Sequence, residues 1–207
     1  NCDLVVLPEL CLPQGLVKTI MEQSWNHQRA IVSGIEHWTH NKVAYNFILT
    51  LLPCEIRGIK DTVPILRLKN HYAPSEEFWI NEYRRIVPKP VPYRYHLMRW
   101  KGLYFTNYYC FELADIVHRS IFRSKIDFLI ASEWNKDINF YSNITEATSR
   151  ALHCYFIQVN TSDYGDSRIT HPKRTENRDT LRIKGGKNTT LLVDELDIKS
   201  LRAFQYK

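Results

Sequence analysis

The sequence predicts an α/β fold in which sheets and helices form layers. Two observations lead to this. Strand-like and helix-like segments alternate through most of the 207 residues. Several of the strand candidates are also continuous apolar runs, the pattern of strands covered on both faces. Hydrophobic residues make up 44% of the chain and charged residues 24%, so the expectation is one large domain, spanning 1–207, with a sizeable core.

The elements follow in order. "DLVVLPE" (3–9) is an apolar run ending in Pro-Glu and reads as a buried strand. "GLVKTIMEQSWNHQRA" (15–30) has helical spacing, with Leu16, Ile20 and Trp25 near one face. "AIVSGIEHW" and "KVAYNFILTLLP" read as a hairpin turning at "THN", and "VPILRLK" (63–69) as a further strand. "APSEEFWINEYRR" opens with Pro-Ser-Glu-Glu, a good helix start, and "PKPVP" breaks regular structure. "YHLMRW" and "LYFTNYYC" pair around Lys101-Gly102, and a helix covers 111–124. "KIDFLIAS" is a strand, "NFYSNITEATSRALHC" a helix and "YFIQVN" a strand. The tail segments "SRITHP", "DTLRIKGG" and "NTTLLVDELD" read as shorter strands.

Composition narrows the function classes. No apolar run approaches the roughly 20 residues that cross a bilayer, so no membrane partner is expected. The five cysteines (Cys2, Cys11, Cys54, Cys110, Cys154) cannot all pair and show no CxxC spacing. Neither a disulfide framework nor a metal site is expected, nor any cofactor, and a reducing, cytoplasmic setting is the simplest reading. The sequons at Asn143, Asn160 and Asn188 are read as chance triplets. Net charge is +6, with basic residues clustered in "YRRIVPKPVPYRYHLMRWK" and "THPKRTENRDTLRIKGGK". Aromatic residues interleave with the first cluster, which suits a nucleic-acid surface; a solvated loop or a basic protein contact is the alternative.

Three residues carry the chemistry. In "NYYCFELADIVHR", Cys110 falls where an apolar strand gives way to a helix. That is the sheet edge where α/β proteins place reactive groups, and a helix start favours a thiolate. Packing as a small hydrophobe is the competing reading for a lone cysteine. Glu9 and Lys69 each end an apolar strand; buried alone, either would cost several kcal/mol. They either face water or meet. Brought to one edge with Cys110, they form a working set. The carboxylate takes the thiol proton. The ammonium, with the backbone N–H of Phe111, steadies the oxyanion.

These motifs resemble those of the carbon–nitrogen hydrolase, or nitrilase, superfamily. "DLVVLPEL" matches with Glu9 as general base, "LRLKNHYAPSEE" with Lys69 as catalytic lysine, and "YYCFELADIVHR" with Cys110 as nucleophile and Glu112 as the acidic residue that follows it. "DFLIASEWNKD" and "RALHCYFIQVN" are similar to the segments after the nucleophile. The resemblance implies an αββα sandwich that pairs into a four-layer dimer. It also implies hydrolysis of a small amide or nitrile, or acyl transfer to an amine, through a thioester. A second glutamate positions substrate; Glu76 and Glu77 are both candidates, with Glu77 favoured. His71 is expected to be structural.

Departures from the pattern shape the rest of the expectation. The chain starts almost at the Pro-Glu strand, as though an N-terminal strand and helix were missing and this were a piece of a longer protein. The usual Phe-Pro-Glu after the cysteine is replaced by "ADIVHRS". "KNHYAPSEE" and "RIKGGKN" resemble nitrilase domains fused to bacterial antiviral-defence reverse transcriptases, which would bring nucleic acid through the fused domain. The alternative to an enzyme is therefore an oligomerisation module of a larger protein. A homo-oligomer is expected in either case, with a contact through 112–124 (Leu113, Ile116, Val117, Ile121) and 139–153 (Phe140, Tyr141, Ile144).

Overall fold

Residues 2–187 and 189–205 are described by a computed structural model. They divide into two units, 1–94 and 95–207.

The first unit is built on a four-stranded sheet. Strand β1 (Leu4–Val6) lies parallel to β2 (Ala30–Gly34), and helix α1 (Val17–His27) makes the crossover between them. The expected hairpin forms, but in two pieces. A short ribbon of β3 (Trp38–His40) and β4 (Val43–Tyr45) turns at Asn41-Lys42, and β5 (Phe47–Ile56) then runs antiparallel to β2. Strand β6 (Ile59–Leu68) pairs back along β5, giving the order β1-β2-β5-β6. It starts four residues earlier than the apolar run "VPILRLK" implied. The two-residue turn Arg57-Gly58 is left-handed at both positions, which suits a tight hairpin and permits pairing from Ile59. The polar residues 60–61 face solvent there, so the apolar pattern did not mark them. Ile20 of α1 packs with Leu12, Ile31, Leu49 and Leu51, whereas Leu16 precedes the helix and is half-exposed. Helix α2 (Pro74–Glu82) starts with Pro at its first turn, followed by Glu76 and Glu77.

The second unit holds a six-stranded sheet. In chain order its strands are β7 (Met98–Trp100), β8 (Leu103–Tyr109), β9 (Phe128–Glu133), β10 (Tyr155–Asn160), β11 (Ser167–Thr170) and β12 (Asp179–Ile183), and they lie side by side in that order. Strands β8, β9 and β10 are parallel and almost wholly buried; the flanking pairs are antiparallel. Helix α4 (Ile138–Leu152) connects β9 to β10. Asp137 caps it, accepting from Phe140 N at 3.2 Å. Its Tyr141, Ile144 and Leu152 join Tyr108, Leu113, Phe122, Leu129 and Phe156 in one core.

Two expectations fail here. The single helix over 111–124 is instead a 3-10 turn, Phe111–Ala114, followed by α3 (Ile116–Ser120). Asp115 is the cause. It adopts an extended backbone and its side chain accepts from His118 N at 3.0 Å, so it ends one turn and caps the next. Leu113 is fully buried, but Ile116 and Val117 are each 70% exposed and do not cover their own sheet. In the tail, residues 189–197 form no strand. The chain ends in a helix the apolar pattern had not indicated, α5 (Ile198–Gln205). It is pinned by Leu201, which is buried, and by Arg202, which grips both Asp127 carboxylate oxygens at 2.7 Å. Among the described residues no helix is long and apolar enough to cross a membrane.

Candidate active site

Glu9 follows β1, in the turn where the chain leaves the sheet. Its place is fixed by Gly34 at the end of β2. A Cβ at Gly34 would stand 2.5 Å from Leu10 N and 2.6 Å from Glu9 Cα, so only glycine lets the two backbones approach this closely. Lys69 follows β6, where its N–H donates to the carbonyl of Asn46 at 2.8 Å. Asn46 itself sits between β4 and β5, its own N–H donating to the Tyr72 hydroxyl at 3.0 Å. The strand ends thus deliver Glu9, Asn46 and Lys69 to one place in the first unit.

There the Lys69 ammonium lies between two carboxylates. It donates to Glu9 Oε1 at 2.7 Å and to Glu76 Oε2 at 2.5 Å. The Asn46 side-chain amide bridges the same two groups, to Glu9 Oε1 at 2.8 Å and Glu76 Oε1 at 2.9 Å. Nε2 of His37 lies 3.5 Å from Glu76 Oε1, and the Tyr72 ring lies 5.6 Å from the ammonium. Lys69 is 1% exposed and Glu9 6%. Two carboxylates and one ammonium in a site this dry cannot share charge equally. Burial pushes Glu9 up, despite the pull of Lys69, and the charge of Glu76 adds to that push. Burial works on Glu76 too, but there Lys69 prevails, helped by the nearby His37 and by hydrogen bonds from Lys69 and Asn46, and holds it at about 2. The two carboxylates are thus pushed in opposite directions, Glu76 towards its charged form and Glu9 towards its protonated one.

Of the two glutamates left open by the sequence, it is Glu76 that meets Lys69. This corrects the preference for Glu77, whose side chain has no such contact among the described residues. The reason is helical geometry: one residue further along α2 turns the side chain by about 100°, away from the cluster.

In the second unit Cys110 stands at the end of β8 with 7% exposure, in contact with a core that includes Tyr108 and Leu113. The chain turns sharply here. Leu113 N donates to the Cys110 carbonyl at 3.0 Å, and the fully buried Glu112 carboxylate accepts from Tyr109 N at 2.8 Å. Glu112 thereby locks the turn that presents the cysteine. Phe111 is the first residue of the 3-10 turn, where its N–H has no acceptor within the turn. A four-residue turn supplies such free N–H groups but little of the dipole that a long helix would bring. Cys154, by contrast, is fully enclosed, and burial, with the charge of Asp127, pushes its thiol far up. All five thiols are free of disulfides.

Sequence reasoning missed three contributors: Asn46, His37 and Gly34. A short hairpin read as continuous hid Asn46 and His37. Gly34 was visible only as a residue inside a strand, a position that often marks a close backbone approach. The sequon at Asn160 is occupied structurally, its side-chain amide donating to the Asn135 and Gly165 carbonyls at 2.9 and 2.8 Å. Asn143 lies on α4 and is exposed, and Asn188 lies outside the described residues.

No protein-family model matches the sequence, and no curated protein matches it either. Solved structures do match. XC1258 from Xanthomonas campestris, a CN-hydrolase superfamily protein with an arsenic adduct in its active site, matches with a TM-score of 0.68 at 16% identity, over 99% of this chain and 82% of its own. Nit3 from Saccharomyces cerevisiae, of branch 10 of the nitrilase superfamily, matches at 0.72 and 12% identity, over 100% and 80%. The chain has the carbon–nitrogen hydrolase fold. An amidase of that superfamily from Nesterenkonia is similar at 0.64 and 13% identity, over 98% of this chain and 81% of its own. That amidase has been seen as one mutant with the acetamide moiety of fluoroacetamide on its active-site cysteine, and as another mutant in complex with butyramide. Within the carbon–nitrogen hydrolase fold, this chain carries a cysteine at the end of β8 and a buried lysine–carboxylate cluster at the ends of β1 and β6.

Proposed function

We propose that the chain is a cysteine hydrolase of non-peptide carbon–nitrogen bonds, acting on a small amide. The observation that carries this reading is the Lys69 ammonium buried between Glu9 and Glu76. Isolated burial of three charges is costly, and a site that keeps one carboxylate protonatable beside a fixed cation suits acid–base work. The likeness to an amidase that is alkylated on its cysteine supports the same reading.

In this mechanism Glu9 takes the proton of the Cys110 thiol as sulfur attacks the carbonyl carbon. Lys69 and the Phe111 N–H carry the negative charge that develops on oxygen. The tetrahedral adduct collapses, the C–N bond breaks, and Glu9 returns its proton to the departing amine, leaving a thioester. Glu9 then takes a proton from water as it attacks that thioester. The acid leaves, and the proton goes back to sulfur. Glu76 keeps Lys69 charged and in place throughout. The test is ammonia release from a series of short aliphatic amides, butyramide included. Release by the native protein and loss of at least about a thousandfold in Cys110→Ala supports the reading; equal rates in both would overturn it.

A second reading rests on a different observation. Ile116, Val117, Ile121 and Phe140 are exposed large apolar residues on or beside α3 and at the start of α4, and an isologous contact would bury them. We propose that this face joins two copies, whether the chain acts alone or as a module of a larger protein. Light scattering should give a dimer or larger assembly for the native chain and a monomer for Ile116→Asp/Val117→Asp. A native monomer at micromolar concentration would contradict it.

A further inference from the structure

A cleft lies in the 95–207 unit, built from parts that the hydrolase reading does not use. It has a volume of about 530 Å³ and is lined by Arg150 at the end of α4, His153 just after it, Pro172, Lys173 and Arg174 in the loop between β11 and β12, and Phe204 on α5. Its size falls within the range of about 300–1,000 Å³ common for small-molecule sites. Among the described residues no carboxylate lines it, so the wall carries three permanent cations. Their compensation is incomplete. Arg150 reaches Glu146 only at 3.4 Å, and that carboxylate is already engaged by Arg178 and, at 2.6 Å, by Thr175. Lys173 has the exposed Asp197 in its neighbourhood. Arg174 has no side-chain partner among the described residues. The cleft belongs to the basic segment already noted in the sequence, which over 171–187 has six Lys or Arg against two Asp or Glu.

The wall also carries two rings, Phe204 and His153. Phe204 is 51% exposed on a helix otherwise firmly docked, and its ring centroid lies 5.3 Å from that of His153. A bare anion would leave the open ring unused. Cations beside an exposed flat ring match a phosphate joined to a stackable base. We propose that this cleft binds a nucleotide, with Arg150, Lys173 and Arg174 on the phosphate and Phe204, backed by His153, on the base. The source is a free mononucleotide or one unit of a single-stranded nucleic acid.

The experiment uses the full chain and two probes, a fluorescently labelled twelve-base single strand of mixed sequence and unlabelled adenosine monophosphate. Anisotropy should report binding of the strand that weakens with salt. Lys173→Glu/Arg174→Glu should weaken it at least about tenfold, and Phe204→Ala about tenfold, with Phe204→Trp restoring it. Circular dichroism and thermal melting on each variant check that the chain keeps its native fold. Displacement by millimolar adenosine monophosphate assigns the site to a single nucleotide. Strand binding with the same dependence on these residues, but no displacement, assigns it to the strand. Strand binding that ignores Phe204 would overturn the proposal in favour of a bare anion site. Strand binding that ignores both positions, or no binding of either probe in low salt, would overturn it outright.

Discussion

At the scale of single residues, charge in the candidate site is divided unequally. Glu9 and Glu76 contact the same ammonium at 2.7 and 2.5 Å, yet burial raises Glu9 while Glu76 is held at about 2. A base works only when ionised, so the acid limb of kcat/KM should lie above 4.5, the ordinary value for a glutamate, rather than near or below it. Glu76→Gln removes the charge that opposes Glu9, so that limb should shift to lower pH; a limb that stays put would show that Glu9 is not the group titrating. The stability linkage has opposite signs for the two groups. What Glu76 contributes is complete above 4.5 and is lost as pH falls towards about 2. What the protonated form of Glu9 contributes is complete below 4.5 and is lost as pH rises through its elevated value. Glu9 and Lys69 stand out as candidates because each ends an apolar run, and Cys110 because it falls where an apolar strand gives way to a helix. The choice between Glu76 and Glu77 was not legible, since adjacent charges in a helix's first turn look alike until the helix is placed.

At the scale of elements, the apolar runs and turn residues marked most strands and both long helices, because these follow from periodicity and from Gly, Pro and Asp punctuation. The two failures have different causes, one local and one distant. Asp115 splits the expected helix through a local cap. Helix α5, in contrast, exists because Arg202 finds Asp127, and Gln205 finds the Ile126 and His153 carbonyls at 3.1 and 2.7 Å. No spacing in the sequence announces that pairing. Gly34 is the sharpest element-level test. Gly34→Ala forces β2 and the turn after β1 apart by a few tenths of an ångström or more, because its new Cβ would meet backbone rather than a flexible side chain. The cost should be about 1–3 kcal/mol of stability, read from urea unfolding. Activity should fall further than that loss accounts for, because Glu9 moves with the backbone. Full activity at reduced stability would mean that Glu9 is not held by this contact.

At the scale of the whole molecule, the fold likeness runs through both units, covering 99% of the chain for XC1258 and 100% for Nit3, while identity stays at 16% and 12%. Layered α/β folds are set by the order of strands and helices and by where the apolar runs fall, and those survive when most individual residues differ. Function is carried by far fewer residues, so it has to be tested at those residues. The most direct measurement is alkylation of the native protein with iodoacetamide, followed by peptide mass spectrometry across all five cysteines. The acetamide moiety is expected on Cys110, ahead of the more exposed Cys11, with Cys154 unlabelled and with the modification gone in Cys110→Ala. Labelling at Cys11 or Cys54 with Cys110 untouched in the folded protein would contradict it.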